Sequence, residues 1–378
     1  RVWRRAAPAG VCWAAACSTQ LRKRLMHRHR LRPLYRWHQG ARKARCVSTV
    51  LPSAMHAIHG TPSVELSRLA AHLGLQGRLV AKLEYLSPGF SKKDRIARQI
   101  IEEARADGSL APGQPVVELT SGNTGTGLAI VCAALSHPFV AVMSRGNSAE
   151  RARMMRALGA EVVLVDQCEG SLPGQVSGAD LRRVSEVTEA LAAERGAFRA
   201  DQFELGGNAR AHLQHTGPEL LAQTRGAGLS IDAFVDFVGS GGTFAGVATA
   251  LRRELPGVRC YVVEPQGAAV LAGNDAPHAA APHKIQGGGY AMAALTPLAA
   301  AEPPDGYLQV SSSEAAETCR QLARFEGVFA GFSGGANVAA AVQILRGAHA
   351  GGTVACVVCD SGLKYLSTDL WGGRVVEI

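Results

Sequence analysis

Pro115-Val-Val-Glu-Leu119, Thr120-Ser-Gly-Asn-Thr-Gly125 and Thr126-Gly-Leu-Ala-Ile-Val-Cys-Ala-Ala-Leu135 follow one another without a break, and Phe139-Val-Ala-Val-Met143 comes next. A short apolar run bounded by turn residues reads as a buried strand. The small-residue turn then opens a helix over 123–135, and the next apolar run is a second strand. The same alternation predicts helix 149–158, strand 161–165, helix 180–194, strand 231–238, helix 243–254, strand 258–263, helices 312–326 and 335–346, and strand 353–359. Near-continuous Val, Ile and Leu strands separated by helices mean mainly parallel sheets covered on both faces. The fold class is therefore α/β. Such sheets bind ligands at the carboxyl ends of their strands. The main Gly/Pro-rich loops are 168–179 and 267–289.

Composition narrows the class. The chain has 378 residues, 47% of them hydrophobic, which is enough for two packed domains. The 43 glycines and only 5% aromatics suit tight strand-to-helix turns. Apolar runs such as Leu128 to Leu135 fall well short of the roughly 20 residues of a membrane span. The formal charge of +9 is concentrated at one end: residues 1–64 hold 13 Lys/Arg and no acid, and the rest carries 27 basic and 31 acidic side chains. A nucleic-acid-binding body would carry the basic patch itself, so neither nucleic acid nor membrane is expected as a partner. The Arg-rich leader, 1–54, reads as a transit peptide directing the chain to a mitochondrion or plastid. The alternative, since the first residue is Arg, is sequence lying upstream of a start at Met26 or Met55, with a cytoplasmic protein.

Nine cysteines without close ligand spacing point to reduced thiols. Cys356-Val-Val-Cys359 lies inside an apolar run, and no second Cys/His pair accompanies it, so no metal is expected.

Five stretches carry polar chemistry. In Ser91-Lys-Lys-Asp-Arg95, Ser91 and Asp94 form a capping signal that places both lysines in a first helical turn. Steps of four, seven, eight and eleven from Lys93 meet Ala97, Ile100, Ile101 and Ala104, whereas Lys92 meets Gln99 and Glu103. Lys93 is thus expected on the buried face and Lys92 nearer solvent. Burial at a helix N-terminus disfavours a protonated amine, as Schiff-base chemistry needs, although a snorkelling lysine has the same pattern. Thr120 to Gly125 puts small residues at a helix N-terminus, either as an anion site or as a plain turn with an Asn cap. Gly239-Ser-Gly-Gly-Thr243 allows close backbone approach to a phosphate, and lacks the Lys of a nucleotide-binding P-loop. Gly331-Phe-Ser333-Gly-Gly-Ala-Asn337 and Asp360-Ser-Gly-Leu-Lys-Tyr-Leu-Ser-Thr368 are loops of small polar residues.

Taken in order, these stretches resemble the cysteine synthases, fold-type-II (tryptophan-synthase-β-like) pyridoxal-phosphate enzymes. The resemblance also covers Asp201-Gln202-Phe203 with Asn208, His212 and Thr216 to Glu219, and Pro282-His-Lys-Ile-Gln-Gly287, and runs from about Ile58 to the C-terminus. It implies two three-layer α/β/α domains. The first is 55–206, with a mobile substrate-closing part and with 55–93 packed partly on the other domain; the second is 207–378, with the phosphate loop. It implies pyridoxal 5′-phosphate held as a Schiff base by Lys93, which then acts as acid and base. Asn123 would bond the cofactor's 3′ oxygen, Gly239, Ser240, Gly241, Gly242 and Thr243 its phosphate, and Ser333 would face its pyridine nitrogen. Thr120, Ser121, Thr124 and Gln202 would take the substrate carboxylate. A homodimer is implied too.

The implied reaction is β-replacement on O-acetylserine by sulfide to give L-cysteine. A cystathionine β-synthase-like reaction of serine with homocysteine is the nearest alternative, and a catalytically idle regulatory protein is an alternative of another class. Departures from the family pattern bear on the substrates: Phe90, Lys92, Met143-Ser-Arg-Gly-Asn147, Leu205-Gly206 and Tyr290-Ala-Met.

Overall fold

The computed structural model describes residues 50–171, 176–273, 282–290, 292 and 294–372. The basic leader, apart from its last five residues, lies outside them. In chain order the elements are β1 (Ser63–Glu65), α1 (Ser67–His72), β2 (Arg78–Leu83), α2 (Lys93–Ala106), β3 (Val116–Leu119), α3 (Asn123–Leu135), β4 (Phe139–Ser144), α4 (Ala149–Ala157), β5 (Glu161–Val165) and α5 (Gly178–Arg195). There follow β6 (Phe198–Arg199), α6 (Gly207–Ala211), α7 (Gly217–Gly226), β7 (Ala233–Phe237), α8 (Gly242–Glu254), β8 (Arg259–Pro265), α9 (Thr296–Ala299), β9 (Gly306–Val310), α10 (Ser312–Gln321), α11 (Phe332–Arg346) and β10 (Thr353–Val358).

Two sheets organise the chain. One runs β5-β4-β3-β6, all parallel; the other runs β1-β2-β10-β7-β8-β9, parallel except for β1 on β2. β10, Thr353-Val-Ala-Cys-Val-Val358, is buried along its whole length and sits between β2 and β7. That environment explains its unbroken apolar sequence, and with it the buried, unpaired Cys356 and Cys359. From Leu51 onward the described residues form one compact unit.

α2 buries Ile96, Ala97, Ile100, Ile101 and Ala104, the face that its periodicity predicts. α3 differs. Its residues from Asn123 to Cys132 are all buried, so it lies inside the protein with no polar face. At its start Gly122 has φ +119, and a Cβ there would lie 2.6 Å from Arg151, so only glycine fits. Ser312 to Glu326 is helical as predicted, but its last five residues widen into a π-type turn.

Candidate active site

β7 ends at Phe237, and the chain turns through Gly239 to Thr243 into α8, a 13-residue helix. A Cβ at Gly239 would meet the Gly287 carbonyl at 2.5 Å, and one at Gly242 the Asn208 side chain at 2.0 Å. The loop is therefore packed from behind and keeps backbone N–H groups at a helix N-terminus, where an anion is favoured. Asn208 Nδ2 donates to Ser240 Oγ at 2.7 Å and to the Gln202 carbonyl at 2.6 Å. Thr243 Oγ1 is 3.1 Å from His212 Nε2, and His212 Nδ1 is 2.9 Å from Thr216 Oγ1. Burial, then the Lys92, Arg95 and Lys93 cations, push His212 well below the usual histidine range, so it is a neutral brace. Asn208 and His212 lie in stretches whose sequence stands out, but no local pattern assigned them a role.

Lys93 Nζ reaches Ser240 Oγ at 3.2 Å, which brings the lysine motif to the phosphate loop across 147 residues of sequence. Burial, then the neighbouring Lys92 cation, pull its amine down to about 8. The expected placement of Lys92 is corrected: it is 8% exposed, more buried than Lys93, and its ammonium pairs with Asp236 at 2.8 Å. Lys92 precedes the first helical residue, so the helical periodicity that pointed it to solvent does not govern it. The expected Ser91–Asp94 cap is corrected as well. Asp94 accepts from the Gly89 N–H at 2.5 Å and Ser91 Oγ from the Lys93 N–H at 3.3 Å, because the Ser87 to Phe90 turn folds back over the helix start.

The Thr120 to Gly125 turn enters α3. Thr120 Oγ1 accepts from the N–H groups of Gly122 and Gly125, both at 2.9 Å, and Thr124 donates to Gln202 Oε1 at 2.7 Å. Both hydroxyls thus shape the turn, and Ser121 presents the less committed one, 3.4 Å from the Tyr290 hydroxyl. Beneath Gln202, Glu118 is buried. Burial, then Asp201, push its carboxyl well above the usual range.

Asn123 is held at both ends of its amide: Nδ2 donates to Asp360 Oδ2 at 2.8 Å and Oδ1 accepts from Lys364 Nζ at 2.7 Å. One amide hydrogen is left to donate. Asp360 also accepts from the Tyr365 hydroxyl at 2.8 Å. Asp360, Lys364 and Tyr365 come from the last of the polar loops, and their function as a frame for Asn123 was not legible there. Ser333 is in the first turn of α11, buried against the Cys359 thiol.

These residues fit a phosphate-bearing cofactor with an aldehyde. The loop offers N–H and hydroxyl donors, and a primary amine with a lowered pKa stands beside it. No cluster of metal-ligating side chains occurs among the described residues, and no helix among them is long and apolar enough to cross a membrane.

Comparison with known proteins agrees. The family model for pyridoxal-phosphate dependent enzymes matches residues 54–360. A cysteine synthase of Staphylococcus aureus is 40% identical over 316 residues, 83% of this chain and 95% of that protein. An O-ureido-L-serine synthase of Streptomyces lavendulae is 37% identical over 321 residues, 85% of this chain and 93% of that protein. Among solved structures, an O-acetylserine dependent cystathionine beta-synthase from Helicobacter pylori has a TM-score of 0.75 at 29% identity, over 85% of this chain and 99% of that one. With a loop for phosphate, an amine beside it and a family match across most of its length, the chain belongs to the pyridoxal-phosphate dependent enzymes of the cysteine synthase family.

Proposed function

We propose that this enzyme is a β-replacement synthase that makes L-cysteine from O-acetylserine and sulfide, with Lys93 as the residue that takes the cofactor and moves protons. When bound, pyridoxal phosphate supplies an electron sink that acidifies the substrate Cα–H and lets the β-substituent leave. The remaining work belongs to this chain. Gly239, Ser240, Gly241, Gly242 and Thr243 donate to phosphate at the N-terminus of α8. Asn123 gives its remaining amide hydrogen to the ring oxygen. Ser333 offers a neutral hydroxyl to the ring nitrogen, which keeps the sink mild and favours loss of a β-substituent over transamination. The N–H groups at the start of α3 and the Ser121 hydroxyl bind the substrate carboxylate, on a turn shaped by Thr120, Thr124 and Gln202. Lys93 would carry the proton between the substrate Cα and the departing group.

The observation that carries this reading is the cavity beyond the turn. Its lining includes Ser121, Ser144, Asn147, Gln202 and Tyr290, with no Lys or Arg among the described residues, and it has room for about 20 Å³. That volume takes one water-sized group. Sulfide, a single heavy atom, fits it. The lining side chains are neutral, which suits an ester leaving group, and the Arg151 cation behind them is already committed to the Ser121 carbonyl at 2.7 Å and the Tyr365 hydroxyl at 2.8 Å.

A donor panel tests this. Purified enzyme is given serine, O-acetylserine or O-phosphoserine, each with sulfide or homocysteine. O-acetylserine with sulfide should give the highest kcat/KM and release cysteine and acetate. Faster turnover of any other pair overturns the assignment.

A pH dependence follows from the Lys93 amine, lowered to about 8. Only the neutral amine attacks an aldehyde carbon, and its fraction rises about tenfold per pH unit below that value. Recapture of pyridoxal phosphate by the stripped full-length chain should therefore accelerate up to about pH 8 and then level off. A rate that is flat with pH contradicts the environment described for Lys93.

A further inference from the structure

Lys92 is adjacent in sequence to the cofactor lysine but points elsewhere. Its backbone N–H donates to the Cys359 carbonyl at 2.8 Å, at the end of β10. Its ammonium lies 2.8 Å from Asp236 Oδ1, on β7 three residues before the phosphate loop begins. Asn337, on α11 one turn beyond Ser333, completes the cluster. Its Nδ2 donates to the Val357 carbonyl at 2.8 Å and lies 3.4 Å from both Asp236 Oδ1 and Cys359 Sγ, while its Oδ1 accepts from the Phe237 N–H at 2.5 Å. One buried polar cluster thus ties the start of the lysine helix to the strand feeding the phosphate loop and to the helix bearing Ser333. Stability alone gives little reason for it, since apolar residues of similar volume replace buried ion pairs with little loss or even a gain.

We propose that Lys92 is a positioning residue: its ion pair with Asp236 holds the Lys93 amine at the phosphate loop and keeps a fixed cation beside it. The charged or titratable groups acting on Lys93 include Lys92, Asp236, Cys359, Glu118 and, kept neutral by burial, His212. Lys92 disfavours its protonation, and Asp236, Cys359 and Glu118 favour it. Burial works against the charge of Lys92, but Asp236, paired with it at 2.8 Å, outweighs burial and keeps Lys92 an ammonium ion. Burial keeps Cys359 a neutral thiol, pushed up to about 11, and burial pushes the Glu118 carboxyl well above its usual range. The Lys92–Asp236 pair is therefore the charged element next to Lys93. The inference rests on Lys93 as the cofactor-bearing residue and is independent of donor and nucleophile.

The test separates the two charges. In the stripped full-length protein, the pH midpoint of Lys93 acetylation by acetic anhydride is read from the Lys93 peptide by mass spectrometry. Recapture of pyridoxal phosphate at pH about 7 is measured beside it. Lys92→Met removes the cation, so the midpoint should rise, and recapture should slow by about tenfold for each pH unit that the midpoint moves. Asp236→Asn leaves the cation uncompensated, so the midpoint should fall and recapture speed up. Midpoints that move in opposite directions support the proposal, because a purely structural pair would disturb both variants alike. Midpoints that move in the same direction, or stay where they were, overturn it. If Lys92→Met fails to fold, Lys92→Gln removes the same charge and can still hydrogen-bond Asp236, and if Asp236→Asn fails to fold, Asp236→Ser takes its place: midpoints that move in opposite directions support the proposal, and midpoints that move together or stay where they were overturn it. The readout is taken at Lys93 itself, so it stands or falls apart from the donor panel.

Discussion

Lys93→Ala should leave a folded protein that no longer joins pyridoxal phosphate covalently. Borohydride treatment followed by peptide mapping should place a pyridoxyl group on the Lys93 peptide of the wild type and on no peptide of the variant. Turnover should fall by at least about a thousandfold, because one amine supplies both the covalent attachment and the proton transfer, and acid–base catalysis alone contributes roughly 10²–10⁴. Binding should weaken less than chemistry. The loop from Gly239 to Thr243 and its braces Asn208 and His212 do not depend on Lys93, whose amine bonds to that loop through the Ser240 hydroxyl. Stability separates this variant from a folding defect. The Lys93 amine is lowered from 10.5 to about 8, so between those values the unfolded chain binds more protons than the folded one. Stability therefore rises with pH through that window, and below it the lysine is a net cost to the fold. At neutral pH the variant should melt at or above the wild-type temperature, measured on both proteins without cofactor. A pyridoxyl group on any other lysine of the variant would overturn the assignment.

Arg95→Met should be the most destabilising single change near the site. Arg95 is wholly buried, and its guanidinium donates to Glu84 at 2.6 and 2.8 Å and to both Glu219 oxygens at 2.8 Å. It also donates to Thr61 Oγ1 at 3.0 Å and lies 3.2 Å from His59 Nδ1. His59 serves as acceptor because burial, then His215, lower it to about 3 and keep it neutral. Removing the cation takes away the direct ion pair of the buried Glu84, because Lys82, the other cation that feels its charge, is hydrogen-bonded to Glu219 instead. Breaking a buried pair on one side costs about 3–5 kcal/mol, a large share of the roughly 5–15 kcal/mol typical of a domain. Urea unfolding at neutral pH measures that loss, and Glu84→Gln in the same chain should recover part of it.

The acid limb carries a second signature. Burial favours the protonated form of Glu219, but Arg95 and Lys82 outweigh it and hold the carboxyl down to about 2. A depressed carboxylate contributes stability above its ordinary pKa of 4.5, and that stability is lost as pH falls toward 2. With Arg95 gone, the loss on acidification should be smaller. An unchanged urea midpoint in the variant would mean that Glu84 finds another partner or takes up a proton at little cost.

Local sequence determined the elements and the chemical character of the turns. Val116–Leu119, Asn123–Leu135 and Glu161–Val165 are legible because strand and helix periodicities are properties of adjacent residues. The glycines of the phosphate loop are legible because close backbone approach excludes a side chain wherever it occurs. Parallel sheets follow from apolar strands that alternate with helices. Only the tertiary structure decided what each polar side chain faces. Asn123 meets Asp360 across 237 residues, Asn208 meets Ser240 across 32, and Lys92 meets Asp236 across 144. Lys92 shows the reason most plainly. Periodicity assigned it to solvent, but it stands one residue outside its helix, and a carboxylate on a strand far along the chain drew it inside. Periodicity is short-ranged, but a buried charge is placed by its counter-charge, and the fold alone brings the two together.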